Sequence, residues 1–242
     1  MRTADGMRTA GSAGTCATTD RSNASKETDV KAMPRLDQSD EARARGANLF
    51  LVATGTLSTA HLPFWLNWLS ANRPRYKVTV GLTDSAEHFV SASALATMTG
   101  TPVVSNTWDT ASGRREPVHT RIAADYDGII VFPASVAFLS GLASGAGTSP
   151  FFLAALGTPA PVVIAPSFPP GVAQNPIIAD VLARLAGVPN YHLIEPRKGT
   201  SRSTGAETEV TAPLWDVIAT FEAATTVAPD TETATATAPV NA

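Results

Sequence analysis

The sequence contains very little cysteine: Cys16 is the only one among its 242 residues. A single cysteine cannot form a disulfide within the chain, and it leaves no second thiolate for a cysteine-based metal site. We therefore expect neither a disulfide framework nor a bound metal.

The sequence also lacks an excess of charge of either sign. Its formal net charge is −3, and no run of basic residues is interleaved with aromatic ones. Binding to a phosphate backbone needs clustered Lys and Arg, so the composition argues against a nucleic-acid partner.

Long apolar runs are missing as well. The most apolar region, residues 129–168, is interrupted repeatedly by Pro and Gly, whereas a membrane-spanning helix needs about 20 consecutive apolar residues. No apolar segment follows the N-terminal arginines, which argues against a secretory signal. We expect a cytoplasmic protein that does not contact a membrane.

Large apolar residues are scarce at both ends of the chain. Residues 1–45 are rich in Ala, Thr, Ser, Gly and charge, and residues 225–242 are mostly Ala, Thr, Pro and Val. Such segments bury too little apolar area to offset the entropy lost on ordering. We predict a disordered N-terminal arm over 1–45, one globular domain over 46–224 and a disordered tail over 225–242.

Within the central region, short β-branched and apolar runs alternate with helical patterns. The runs predict strands at residues 48–54, 76–82, 101–105, 129–132, 161–165 and 191–194. This alternation is typical of an α/β fold, here a single Rossmann-like (flavodoxin-like) doubly wound domain with a mostly parallel six-stranded sheet. The polar segment 195–210 predicts either a mobile flap or disorder.

Small or hydroxyl-bearing residues follow three of the predicted strands, at 55–58, 83–85 and 133–135. Ligands of doubly wound sheets bind beyond the carboxyl ends of the strands, where these turns meet. Backbone N–H groups and hydroxyls at such turns suit a phosphate. The residues alone therefore predict a site for a phosphorylated small molecule or cofactor, although helix capping explains Thr83 or Ser85 equally well.

His119 precedes the fourth predicted strand, near the turn at 133–135. Histidine is the side chain that most often transfers protons in active sites. A histidine at a helix start is also commonly a solvated or capping residue, so the sequence leaves both interpretations open.

The order of these parts resembles the homo-oligomeric flavin-containing cysteine decarboxylases. This family includes phosphopantothenoylcysteine decarboxylase and the peptidyl-cysteine decarboxylases of lanthipeptide and related biosynthesis. The resemblance covers about residues 46–195, and its most specific part is His119 spaced before Pro133-Ala-Ser135 and Leu142-Ala-Ser-Gly145.

The resemblance implies an enzyme with FMN, or alternatively FAD, as its cofactor. Its substrate would be a precursor peptide whose C-terminal cysteine is oxidatively decarboxylated to an enethiol. It further implies self-association into a trimer, or a dodecamer built from trimers, with other peptide-modifying enzymes as further partners.

The resemblance also assigns roles to individual residues. His119 would be the catalytic acid/base. The flavin would be held by Gly55, Thr56, Ser58, Thr83, Ser85, Pro133, Ala134 and Ser135. Phe168, Arg197 and Ser201 would bind the substrate, with 197–205 in the place of the family's substrate flap.

Two positions depart from the family pattern. The motif usually reads Pro-Ala-Ser-Ala-Asn-Thr, but its asparagine is Ala137 here, and the later Pro-x-Met-Asn loop ends in Pro169. Both asparagines serve the active site in typical members. The departures leave two alternatives open: a non-catalytic flavin-binding subunit that partners a peptide-modifying enzyme, or another flavoprotein of the fold, such as a prenyl-flavin synthase.

Overall fold

The computed structural model describes residues 46–108, 116–200, 205 and 207–227. The arm predicted over 1–45 lies outside the described residues, as does the tail from 228 onward. The last helix ends at Val227, so it extends past the predicted domain boundary at 224.

The central elements alternate between strands and helices. The strands are β1 Asn48–Ala53, β2 Lys77–Leu82, β3 Val104–Ser105, β4 Gly128–Ala134, β5 Val162–Pro166, β6 Tyr191–Leu193, β7 Arg197–Thr200 and β8 Glu207–Val210. The α-helices are α1 Leu62–Asn72, α2 Ala92–Thr99, α3 Val118–Asp125, α4 Val136–Ala143, α5 Pro150–Gly157, α6 Pro176–Ala186 and α7 Leu214–Val227. Two 3₁₀ helices, Leu57–His61 and Ala86–His88, follow β1 and β2.

Strands β1 to β6 form one sheet in the order β3-β2-β1-β4-β5-β6, and every neighbouring pair is parallel. The order reverses beside β1, which is where a doubly wound sheet opens a crevice for a ligand. The predicted six-stranded α/β fold is confirmed. The third strand is shorter than predicted, because only Val104 and Ser105 pair with β2.

Helices cover both faces of the sheet, as the apolar strand sequences require. Alternate strand residues such as Leu51, Val80 and Phe132 pack with α1, α2 and α7 on one face. The intervening residues, such as Phe50 and Val131, pack with α3, α4, α5 and α6 on the other.

A buried ion pair joins the C-terminal end of α1 to α7. Arg73 donates to both carboxylate oxygens of Glu222, over 2.6 and 3.2 Å, and the Tyr76 hydroxyl donates to the same carboxylate over 2.9 Å. Burial, followed by the charge of Glu222, raises the pKa of Tyr76. Hydrogen bonding to Glu222 raises the pKa of Arg73 despite burial. This cluster anchors α7, the last helix, to the end of α1.

The segment 195–210 contains an antiparallel pair, β7 and β8, where the sequence predicted a mobile flap or disorder. Cross-strand partners run from Arg197 with Val210 to Thr200 with Glu207. Side chains stabilise this pairing locally: Val210 packs over Gly199, where an added Cβ would lie 2.7 Å away.

Two further expectations differ from the structure. Residues 133–135 were expected to end the fourth strand, but β4 includes Pro133 and Ala134 and stops only before Ser135. The apolar side chain of Phe89, like those of Leu95 and Met98 in the same segment, predicts a core position, yet 37% of the surface of Phe89 is exposed. No helix within the described ranges has the length and apolar character needed to cross a bilayer.

Candidate functional site

A cavity of about 750 Å³ opens at the carboxyl edge of the sheet. Its volume falls in the range of about 300–1,000 Å³ typical of small-molecule sites. The turn after β1, the turn after β2, the start of α4, the loop after β5 and the β7–β8 hairpin all contribute to its wall. The predicted residues that line it are Gly55, Thr56, Ser58, Thr83, Ser85, Ser135 and Phe168.

Gly55 brings the turns after β1 and β2 into direct contact. A Cβ added at Gly55 would lie 2.3 Å from the Cβ of Ser85, so no larger residue fits without movement. Next to it, the Thr56 hydroxyl oxygen is buried and has no hydrogen-bond partner among the described residues. A buried polar atom without a partner is costly, and a ligand oxygen in the cavity would satisfy it.

Ser135 is the only residue of the predicted 133–135 turn that lines the cavity. Its hydroxyl accepts the backbone N–H of Phe138 over 3.3 Å and so caps α4. Pro133 and Ala134 lie behind it as buried residues of β4. Both side chains were predicted to contact the flavin, but neither is exposed at the cavity wall.

The side chain of Asn106 is held in one orientation at the cavity wall. Its Oδ1 accepts the backbone N–H of Phe151 over 3.1 Å, at the start of α5. An acceptor at this position must be the oxygen, which leaves the amide Nδ2 as a donor. Within the described ranges Nδ2 has no partner, and Asn106 lines the cavity.

His119 does not line the cavity of its own chain. It lies in the first turn of α3, half-buried, with its ring edge-on to Trp108 at a centroid distance of 5.6 Å. Its Nδ1 is buried and has no hydrogen-bond partner among the described residues. The predicted catalytic histidine is thus not among the residues that line the cavity with the predicted flavin residues.

The three predicted substrate residues are placed differently. Phe168 lines the cavity and is 8% exposed. Arg197 does not line it, because its guanidinium forms an ion pair with Asp216 on α7. Ser201 lies outside the described residues. The hairpin instead contributes Thr200, Thr208, Glu209 and Val210 to the wall.

Several lining residues were not predicted from the sequence. They include Leu57, His61, Phe89, Asn106, Val136, Phe138 and Phe152. Asn106 directly follows β3, and the rule that strand ends meet at the ligand edge could have identified it. The two positions that depart from the family pattern, Ala137 and Pro169, also line the cavity.

The cavity therefore offers two chemically different environments. Hydroxyl-bearing residues cluster at the turns after β1 and β2, while apolar and aromatic side chains predominate beside α4, α5 and the loop after β5. This division suits a ligand with a phosphate at one end and a flat ring at the other. Among the described residues, no group of His, Cys, Asp and Glu could hold a metal ion.

The family model described as Flavoprotein matches residues 37–221. The cypemycin cysteine dehydrogenase (decarboxylating) of a Streptomyces species is 31% identical over 163 residues, which covers 67% of this chain and 83% of that protein.

Solved structures give the same relationship. The cypemycin decarboxylase CypD superposes with a TM-score of 0.56 at 31% identity, covering 63% of this chain and 84% of that one. The FMN-dependent cysteine decarboxylase SpaF superposes with a TM-score of 0.62 at 20% identity, covering 73% of this chain and 95% of that one. The second likeness concerns the fold alone.

Proposed function

The chain belongs to the Flavoprotein family, among the flavin-containing cysteine decarboxylases, and on this basis we propose that it oxidatively decarboxylates the C-terminal cysteine of a peptide. The observation that carries the proposal is the cavity itself. It gathers Gly55, Thr56, Ser58, Thr83, Ser85 and Ser135 from three separate turns at the ligand edge of the sheet. The substrate would be a ribosomal precursor peptide, and the product an enethiol.

The cavity fits FMN by two features. Its volume is adequate, and the Thr56 hydroxyl, which has no partner among the described residues, would gain one from an oxygen of the cofactor. Thr56, Ser58, Thr83 and Ser85 would hold the phosphate. When bound, the flavin accepts two electrons and a hydrogen from the C-terminal cysteine of the peptide. No protein side chain can carry out this oxidation.

The described residues also indicate how the peptide would be held. The β7–β8 hairpin and Phe168 line the same cavity as the turn after β1 and would shield the reacting cysteine from water. Excluding water protects a reactive thiocarbonyl and strengthens polar interactions within the site. Carbon dioxide then leaves, because the adjacent thiocarbonyl stabilises the carbanion.

We further propose that a second copy of the chain completes the site. His119 does not line the cavity of its own chain, and its buried Nδ1 has no partner among the described residues. A neighbouring copy in a trimer, or in a dodecamer built from trimers, would bring His119 to the cavity of this chain. There it would move protons at the substrate thiol.

A non-catalytic flavin-binding subunit is the second candidate. Ala137 and Pro169 line the cavity at the two positions where the family pattern has asparagine. Neither side chain can donate a hydrogen bond to a substrate or a cofactor. In this alternative, the chain binds the flavin and a peptide-modifying partner but does not itself turn over a substrate.

The test has two steps on the full-length protein. The cofactor released from the purified protein is first identified by mass, with FMN expected. Peptides that end in Cys or in Ser are then incubated with the protein, and only the Cys peptide should lose carbon dioxide and two hydrogens. His119→Asn should retain flavin and lose turnover.

The outcomes separate the two candidates. A protein that binds flavin but turns over no Cys-terminated peptide supports the non-catalytic subunit. A protein that binds no flavin contradicts both candidate functions.

A further inference from the structure

We propose that His61 binds an anionic oxygen group of the ligand in this cavity. This inference rests on the proposed function, which brings two such groups to the site: the phosphate of FMN and the carboxylate of the peptide. Both are oxyanions that accept hydrogen bonds and favour a neighbouring positive charge.

The charges of the cavity wall are the first argument. Among the described residues that line it, His61 is the only one that can carry a positive charge, since none is Lys or Arg. Glu209, on β8, is the only acidic one. The remaining polar side chains are neutral hydroxyls and the amide of Asn106. The lining therefore has one side chain that can compensate the charge of an oxyanion, His61, and one whose carboxylate repels it, Glu209.

The local geometry is the second argument. Residues three apart in a 3₁₀ helix lie above one another, which places Ser58 and His61 on the same face of Leu57–His61. Both line the cavity. Thr59 points the other way: it is buried, and its hydroxyl donates to the Thr54 carbonyl over 2.6 Å. His61 thus continues the polar wall that begins with Thr56 and Ser58.

The imidazole of His61 does not stabilise the described part of the fold. His61 occupies the position before α1, yet its side chain forms no capping hydrogen bond with that helix. Its side chain is exposed and forms no hydrogen bond or ion pair with any described residue. An imidazolium has two N–H donors, and an oxyanion can accept a hydrogen bond from either of them.

The matched control is His88. It also ends a 3₁₀ helix, Ala86–His88, and is exposed, but it does not line the cavity. The variants are therefore His61→Ala, His61→Lys and His88→Ala, each in the full-length chain. Lys retains the positive charge, and so His61→Lys should bind about as well as the wild type.

Two binding measurements distinguish the source of the oxyanion. Apoprotein is titrated with FMN and with riboflavin, which lacks the phosphate. Flavin-loaded protein is titrated with a Cys-terminated peptide and with its C-terminal amide. His61→Ala should weaken binding of the anionic ligand of one pair by about threefold to tenfold. Binding of that ligand's uncharged counterpart should not change.

The inference is overturned if His61→Ala binds FMN and the peptide acid as the wild type does. It is equally overturned if the uncharged ligands weaken to the same extent, or if His88→Ala has the same effect. A wild-type chain that binds flavin while His61→Ala behaves normally contradicts this inference and leaves the proposed function standing. A wild-type chain that binds no flavin contradicts both.

Discussion

The hydroxyl of Thr54, at the end of β1, accepts the backbone N–H of Ser135 over 2.7 Å. The same hydroxyl donates to the Pro133 carbonyl over 2.7 Å, and Thr54 is 1% exposed. One buried side chain therefore joins the ends of two neighbouring strands, 81 residues apart in sequence, at the edge where the cavity opens. The position of Ser135 in the cavity wall depends on it.

Thr54→Val should destabilise the protein and weaken flavin binding. Valine has nearly the same shape but leaves the Pro133 carbonyl and the Ser135 N–H without their partner. The expected loss is about 1–3 kcal/mol in the free energy of unfolding, measured by denaturant titration. Thr97→Val is the control: its hydroxyl bonds to the Ser93 carbonyl on an exposed helix surface, and the expected change is below about 0.5 kcal/mol. Equal effects would contradict the role of Thr54.

Gly55→Ala should destabilise the site by overpacking. The new Cβ would meet the Ser85 Cβ at 2.3 Å, and a forced shift of this kind costs about 1–3 kcal/mol. Adding Ser85→Gly removes the clashing atom and should restore the melting temperature. Gly157→Ala, where no atom lies within 4 Å of the added Cβ, should be close to neutral. A Gly55→Ala protein as stable as the wild type would show that the two turns are not in contact.

Asn106 combines a structural and a ligand-facing role that two substitutions can separate. Asn106→Asp keeps the oxygen that accepts the Phe151 N–H at the start of α5, whereas Asn106→Ala removes it. We expect Asn106→Ala to lower stability by about 0.5–2 kcal/mol and Asn106→Asp to preserve it. Both should weaken FMN binding in titrations of apoprotein, since both lose the Nδ2 donor. If Asn106→Asp binds FMN with normal affinity, the side chain of Asn106 is not part of the FMN site.

We expect the loss of the buried Arg73–Glu222 pair to lower the free energy of unfolding far more than the loss of the exposed Arg197–Asp216 pair. Glu222→Ala leaves the Arg73 charge buried, with side chains 4% and 7% exposed in the intact pair, and should cost about 3–5 kcal/mol. Asp216→Asn breaks the ion pair with Arg197, whose side chain is 56% exposed, and should cost less than about 1 kcal/mol. Unfolding in urea measures both; a reversed order would contradict the anchoring role of Glu222.

The sequence predicted the sheet well because its strands are apolar runs bounded by turn residues. All six strands of that sheet occur at the predicted places, and β4 is buried along its whole length. The β7–β8 hairpin was not predicted as strands, because Arg197–Thr200 is polar and its residues pair with partners seven to thirteen positions later in the chain. Local sequence does not encode such a pairing strongly.

The site could be predicted only in part. Hydroxyl-rich turns at strand ends carry a local pattern, so Thr56, Ser58 and Ser85 were found. His61 and Phe89 carry no such pattern: the first is an isolated exposed histidine, and the second reads as core. Both reach the cavity because of how the two 3₁₀ helices are oriented after β1 and β2. That orientation is a property of the packed fold.

The central claim is that the bound flavin oxidises a peptide cysteine. The most direct measurement is the absorbance of flavin-loaded, full-length protein mixed without oxygen with one equivalent of a Cys-terminated peptide. The account predicts loss of the oxidised-flavin absorbance together with release of carbon dioxide and formation of the enethiol peptide in equal amount. Flavin that stays oxidised beside an unchanged peptide would contradict it.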